Sequence, residues 1–200
     1  MRKLQAFLHV SADGYFTGPG GDLSWTRHDQ DPEYKQWADE NVRGESVLVF
    51  GRATYQMMAS FWPSSMAQER EPLMAEKMNA ATKVVFSRSL NDTTWENTML
   101  VRGNAVDEMR SLKQQPGAPL TILGSGSLVR QLAEAGLVDE FQLLITPVAL
   151  GAGRTLFEGA AKRIDLDHVS TRTFQNGKVL LIYKPQTSRN QDDPTNKLSS

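Results

Sequence analysis

The sequence has no cysteine, no excess of charge of one sign and no long hydrophobic run. Without cysteine there are no disulfides, thiolate nucleophiles or cysteine metal cages, and the composition is compatible with a reducing cytosol. Because 22 Lys and Arg are matched by 23 Asp and Glu, no basic surplus is available to hold a nucleic acid. No stretch approaches the roughly 18 apolar residues of a transmembrane helix, so we expect a soluble protein that makes no membrane contact.

The amino terminus does not predict an export signal. The apolar run after Lys3 ends at Val10, and Asp13 follows without a cleavage site. We therefore expect a cytoplasmic protein. A chain of 200 residues suits one domain, which we place at residues 1–184. Residues 185–200 contain one strongly apolar side chain, Leu198, and predict a disordered tail.

Short apolar runs alternate with helical patterns along the first two thirds of the chain, which predicts an α/β sheet with helices on both faces. In the last third, Asn176-Gly177 lies between two strand patterns and predicts an antiparallel hairpin. The predicted strands are residues 3–10, 46–50, 83–86, 98–101, 120–123, 141–148, 166–174 and 179–183. One predicted helix begins after Asp31. The others cover residues 52–60, 68–81, 104–114 and 127–135.

Three predicted strands end in small, polar or glycine residues and lead into a helix. Parallel strands end at one edge of a sheet, where helix amino termini, hydroxyls and guanidinium groups can bind phosphate. Each segment alone is more often an ordinary connection from a strand to a helix that binds no ligand. The three together indicate a binding site for a nucleotide with more than one phosphate. The segments are Gly51-Arg52-Ala53-Thr54, Ser87-Arg88-Ser89 and Gly124-Ser125-Gly126-Ser127.

The sequence lacks the motifs of several other classes of enzyme and binding site. Position 129 is Val, so the G-x-G-x-x-G dinucleotide fingerprint is absent. There is neither a G-x-S-x-G elbow nor an H-E-x-x-H motif. His9, His28 and His168 are too scattered to predict a metal site. We expect His9, in the first strand, to be a buried side chain with satisfied hydrogen bonds.

The order of several motifs resembles known reductases. Asp13-Gly14, Leu23-Ser24-Trp25, the helix with Tyr34 and residues 51–55 follow one another as in dihydrofolate reductase. A closer resemblance, over about residues 1–184, is to the dihydrofolate-reductase-like proteins related to the carboxy-terminal reductase domain of the deaminase-reductase of bacterial riboflavin biosynthesis. The motifs that carry it are Ser11-Ala12-Asp13-Gly14, Gly51-Arg52-x-Thr54-Tyr55 with Phe61-Trp62-Pro63, Gly124 to Leu128, Leu137 to Glu140, and Pro147-x-x-x-Gly151-x-Gly153-Arg154.

This resemblance implies a three-layer fold around a mostly parallel sheet of about eight strands with a carboxy-terminal antiparallel hairpin. It also implies a homodimeric, NADPH-dependent reductase that transfers a hydride to a small heterocyclic or imine substrate of pterin or pyrimidine type. The cofactor residues that it implies are Val10 and Thr17 beside the nicotinamide, Gly51, Arg52 and Thr54 at the phosphates, Ser87, Arg88 and Ser89 at the adenosine ribose and its 2′-phosphate, and Gly124, Ser125, Gly126 and Ser127 at the pyrophosphate.

The substrate side departs from the dihydrofolate reductase pattern. The helix carboxylate that binds the pterin there falls on Gln30, and the adjacent Asp31 is rotated by about 100° along a helix. Asp13, Asp31 or a water could supply the proton, although Asp13 also suits a plain turn. Trp25 is expected to anchor a loop over the pocket, and Tyr34 either lines the substrate space or faces the core. A true dihydrofolate reductase and a nucleotide-binding module without turnover are the alternatives.

Overall fold

The computed structural model describes residues 1–26 and 31–186. His28, Gln30 and all but the first two residues of the predicted tail lie outside these ranges. Pro185, placed in the tail by the sequence analysis, is instead the last residue of a strand. Among the described residues, no helix combines the length and the apolarity that crossing a bilayer requires.

An eight-stranded sheet forms the centre of the molecule, in the order β5-β4-β3-β6-β1-β7-β10-β9. Neighbouring strands are parallel from β5 through β7, while β10 is antiparallel to both β7 and β9. This confirms the predicted mostly parallel sheet with a terminal antiparallel pair. The strands are β1 Leu4–Ser11, β3 Val47–Gly51, β4 Lys83–Phe86, β5 Thr98–Val101, β6 Leu120–Ile122, β7 Glu140–Thr146, β9 Leu166–Thr173 and β10 Val179–Pro185, and the separate pair is β2 Tyr15–Thr17 with β8 Arg154–Thr155.

Helices cover both faces of the sheet, as predicted. On one face, α5 and α6 pack with the even-numbered side chains of β1, such as Leu4 and Ala6, in the largest hydrophobic cluster. The odd-numbered side chains of β1 lie on the opposite face, where α1 packs on β7 and β10, and α2 and α4 pack on β3 and β4. The helices are α1 Pro32–Arg43, α2 Arg52–Phe61, α3 Ser65–Arg70, α4 Pro72–Ala80, α5 Ala105–Gln114 and α6 Gly126–Glu134.

The long helix predicted over residues 68–81 is wrong, because the structure has two helices there. α3 ends at Arg70 and α4 begins at Pro72. Proline lacks the N–H of a helix interior and clashes with the preceding turn, but it suits the first position of a new helix. The pair β2 and β8 was also missed, since strands of three and two residues are too short for a periodic pattern.

Candidate functional site

The turns β3–α2 and β6–α6 meet at the carboxyl edge of the sheet. A Cβ on Gly51 would lie 2.6 Å from the Cβ of Ser125, and a Cβ on Gly124 would lie 3.4 Å from Thr54 Oγ1. The peptide bond between Gly124 and Ser125 is cis. The fold therefore brings two of the three predicted phosphate segments into direct contact.

Both helices begin at this point without a side-chain cap. Gly51 precedes α2 and has no side chain that could cap it. Ser125 precedes α6, and its side chain accepts no hydrogen bond from the first turn of that helix. The first N–H groups of a helix have no partner within the helix and carry a partial positive charge. Two such ends side by side, with exposed Arg52 on the first turn of α2, form a surface suited to an anion.

The third predicted segment lies after β4 at the same edge, but the helix predicted to follow it is wrong, because the chain forms a turn there and continues to β5. Ser87 Oγ accepts hydrogen bonds from the backbone N–H of Leu90 at 2.9 Å and of Ser89 at 3.2 Å, and Arg88 is exposed at the tip. Arg102, which directly follows β5, donates to the Asn91 carbonyl at 3.0 Å. The sequence analysis missed Arg102, although its place after a predicted strand next to β4 was a usable signal.

Gly126 has a packing role at the start of α6. A Cβ there would lie 2.4 Å from Cζ of the Phe16 ring, which is buried in the main core cluster. The Phe16 ring therefore leaves no room for a side chain at residue 126. Gly124 has φ +102°, a conformation that side chains other than glycine rarely adopt.

Asp13 joins two loops at the carboxyl ends of β1 and β7. Its carboxylate accepts hydrogen bonds from Ser11 Oγ at 2.6 Å, from the Leu150 N–H at 2.9 Å and from the Gly151 N–H at 2.7 Å. The bond from Ser11 and those from the two amides lower the pKa of Asp13 to about 2. A carboxylate with this pKa is ionised at neutral pH and has no proton to donate, so the geometry gives Asp13 a positioning role.

The two loops that Asp13 joins also contain the strands of the β2–β8 pair. Tyr15 lies opposite Thr155 and Thr17 opposite Arg154 in the β2–β8 pair. A Cβ on Gly153 would meet the Thr17 carbonyl oxygen at 2.0 Å, so the two backbones approach closely. Thr17 Oγ1 is buried and has no hydrogen-bond partner.

Asp31 caps α1 and also holds the β9–β10 turn. Oδ1 accepts from the backbone N–H of Glu33 at 2.9 Å and of Tyr34 at 3.3 Å, and Oδ2 accepts from the Asn176 N–H at 2.9 Å. Burial would raise the pKa of Asp31, but these backbone donors outweigh it and the pKa is lowered. Asp31 is therefore an ionised, 5% exposed cap, and its geometry does not suit proton donation.

The two predicted substrate residues have different surroundings. Trp25 is buried, and its indole N–H donates to the Asp22 carbonyl at 3.1 Å, which holds the loop after β2. Tyr34 packs edge-on against Phe174, with ring centroids 5.4 Å apart, and Lys178 Nζ lies 4.2 Å from the centre of its ring. Tyr34 thus belongs to an aromatic group on the α1 face of the sheet.

His9 lies on the same face, and the prediction that its hydrogen bonds are satisfied is wrong. Nδ1 is buried without a partner, and so is Oγ1 of Thr146, two strand positions further along the adjacent β7. Burial is the main cause that lowers the pKa of His9 to about 3, and the charge of Lys178 adds to it. The sequence analysis placed His9 on a strand but could not show that its neighbours offer no hydrogen bond.

Comparison with known proteins agrees with this architecture. Residues 2–180 match the RibD C-terminal domain. Uncharacterized protein YyaP of Bacillus subtilis is 30% identical over 182 residues, which cover 91% of this chain and 94% of YyaP.

The fold recurs in solved structures of other proteins. One is a protein named for riboflavin biosynthesis from Shewanella sp. PV-4, with a TM-score of 0.71 and 21% identity over 94% of this chain and 100% of that one. The other is dihydrofolate reductase from Enterococcus faecalis, complexed with NADP(H), with a TM-score of 0.64 and 18% identity over 92% of this chain and 97% of that one. The fold is therefore that of dihydrofolate reductase, and the chain belongs to the RibD C-terminal domain family.

Proposed function

We propose that this protein is an NADPH-dependent reductase that transfers a hydride to a small heterocyclic or imine substrate of pterin or pyrimidine type. The observation that carries the proposal is the pair of uncapped helix starts, after Gly51 and Ser125, in contact at the carboxyl edge of the sheet. Membership in the RibD C-terminal domain family and the fold of an NADP(H)-complexed reductase support it.

The residues present fit this cofactor along the edge. The starts of α2 and α6, with Arg52, Thr54, Ser125 and Ser127, would hold the phosphates that join its two halves. Ser87, Arg88 and Ser89 would hold the ribose and its 2′-phosphate, and Arg102 adds a second cation beside that turn. The buried, unpartnered Thr17 hydroxyl and the Val10 backbone would border the nicotinamide.

NADPH, when bound, supplies the hydride, so the task of the protein is to position the reactants and to exclude water. Asp13 holds the loop that carries Thr17, and Asp31 holds α1 against the β9–β10 turn. Both carboxyl groups have lowered pKa values. We therefore propose that water, and not either carboxylate, delivers the proton that a reduced C=N bond requires.

The affinity for the 2′-phosphate tests the cofactor assignment. Arg88→Ala should weaken NADPH binding by about 1.5 to 3 kcal/mol, the scale of a hydrogen bond to a charged group, and change NADH binding much less. Calorimetric titration of both cofactors measures this, with Arg110→Ala, an exposed arginine on α5, as the control. An equal loss for NADPH and NADH would remove Arg88 from the 2′-phosphate.

Turnover separates the reductase from its alternatives. Oxidation of bound NADPH that requires an added pterin or pyrimidine supports the reductase, whereas NADPH binding without turnover leaves a nucleotide-binding module. Rapid oxidation with dihydrofolate would instead identify a true dihydrofolate reductase.

We further propose a homodimer formed through the outer edge of β9. Seven of the eight β9 residues are exposed, including Val169 at 46%, and within the described ranges no strand pairs with this edge. Twofold symmetry is the commonest arrangement of homo-oligomers and would pair this edge with its own copy.

A further inference from the structure

The motif Pro147-x-x-x-Gly151-x-Gly153-Arg154 ends in an exposed arginine to which the proposed function assigns no role. Arg154 begins the short strand β8, where its backbone lies opposite Thr17 of β2. Gly153 allows this close approach, because its φ is +146° and a Cβ there would collide with the Thr17 carbonyl oxygen. The fold therefore fixes the backbone of Arg154 beside a residue that we propose borders the nicotinamide.

The guanidinium group of Arg154 has no acidic partner among the residues that the structure describes. None of the ion pairs within residues 1–26 and 31–186 includes it. The ionised carboxylate of Asp13, in the same two loops, already accepts hydrogen bonds from Ser11 and from the backbone of Leu150 and Gly151. The exposed guanidinium is thus available to pair with an anionic group of a ligand.

The contact that Arg154 does make leads to the start of α6. Its guanidinium carbon lies 5.8 Å from the centre of the Phe16 ring. The far end of the same ring reaches Gly126, the first residue of α6, so closely that a side chain there would collide with it. One aromatic ring therefore contacts both the guanidinium group and the helix start that we assign to the pyrophosphate.

The strand order gives these groups a sequence along the carboxyl edge of the sheet. Strands β6, β1 and β7 are neighbours, so the start of α6, the loop with Thr17 and the loop with Arg154 follow one another there. Arg52 and Arg88 follow β3 and β4, toward the other end of the same edge. Arg154 is therefore an arginine on the nicotinamide side of the start of α6.

We propose that Arg154 positions the cofactor by pairing its guanidinium group with the phosphate on the nicotinamide side of the NADPH pyrophosphate. This inference rests on the proposed reductase and gives the motif a role, since Gly153 brings Arg154 to Thr17 and Phe16 supports the guanidinium group. NADPH and NADH both carry this phosphate. Arg154 should therefore contribute equally to the binding of both, whereas Arg88 should act on NADPH.

Two substitutions separate the charge of Arg154 from its packing. Arg154→Met keeps an apolar contact with Phe16 and removes the charge, while Arg154→Lys keeps the charge. The probes for calorimetric titration are NADPH, NADH and adenosine 2′,5′-bisphosphate, which lacks the nicotinamide half. We expect Arg154→Met to weaken NADPH and NADH alike, at least tenfold or about 1.4 kcal/mol, and to leave the bisphosphate within about twofold. Arg110→Met, on α5, is the control and should bind all three like wild type.

The salt dependence of binding is a second readout, which a packing role would not change. Because salt screens the attraction between opposite charges, added KCl should weaken NADPH binding more in wild type and Arg154→Lys than in Arg154→Met. Unchanged NADPH affinity in Arg154→Met, an equal loss for NADPH and the bisphosphate, or a wild-type salt dependence in Arg154→Met would each overturn the inference. Failure of the wild-type protein to bind NADPH would instead refute the proposed reductase.

Discussion

We predict that the wild-type protein loses stability in weak acid through His9, and that replacing His9 removes this loss. The pKa of His9 is lowered from 6.5 to about 3 in the folded protein, chiefly by burial and further by Lys178. Below pH 6.5 the unfolded chain binds a proton at this position and the folded protein does not. Stability from this group is thus complete above the unfolded pKa and is lost as the pH falls toward the folded value.

The size of the effect follows from the slope of about 1.36 kcal/mol per pH unit for one proton. Between about pH 7 and about pH 5 the wild-type protein should lose at most about 2 kcal/mol of its free energy of unfolding through His9. For a chain of this length that corresponds to a fall in Tm of roughly 4 to 8 °C. Asp13 and Asp31 add little in this window, because a carboxyl group with a lowered pKa loses stability only as the pH falls to its unfolded value of 3.8 and below.

Urea denaturation at a series of pH values measures this free energy directly. His9→Phe keeps the contact with Phe7 and should lose up to about 2 kcal/mol less than wild type over the same window. If wild type and His9→Phe lose stability in parallel between about pH 7 and about pH 5, His9 is protonated in the folded protein. The account of its buried, neutral ring would then be wrong.

The remaining predictions concern the loops, the glycines and the sheet edge. Asp13→Ala removes the oxygens that accept from the Leu150 and Gly151 N–H, so hydrogen exchange at these amides should accelerate, while the exposed Asp107→Ala should leave it unchanged. Gly126→Ala should destabilise the apo protein by roughly 1 to 3 kcal/mol, because the Phe16 ring must move; an unchanged Tm would contradict this packing. Val169→Lys should give a monomer by light scattering if β9 forms the dimer, and a wild-type mass near 22.3 kDa would refute the dimer itself.

The architecture was largely predictable because its signals are local. Buried parallel strands leave continuous apolar runs, as at residues 47–50 and 83–86, and Asp31-Pro32 marks a helix start whatever its surroundings. Asn176-Gly177 likewise specifies a turn through its own backbone preferences. Parallel strands then necessarily end at one edge, but the meeting of Gly51 with the Gly124 loop also requires β3 and β6 to be neighbours, which the sequence did not predict.

Only the tertiary structure decided what the candidate residues touch. The sequence by itself determined that Asp13 follows a strand and that Asp31 precedes a helix. Their hydrogen-bond partners, Gly151 and Asn176, lie more than a hundred positions away along the chain. The same holds for His9, whose strand was predicted while its unpaired Nδ1 was not. Hydrogen bonding and desolvation depend on neighbours brought together by folding, and these set the pKa values that separate a positioning carboxylate from a proton donor.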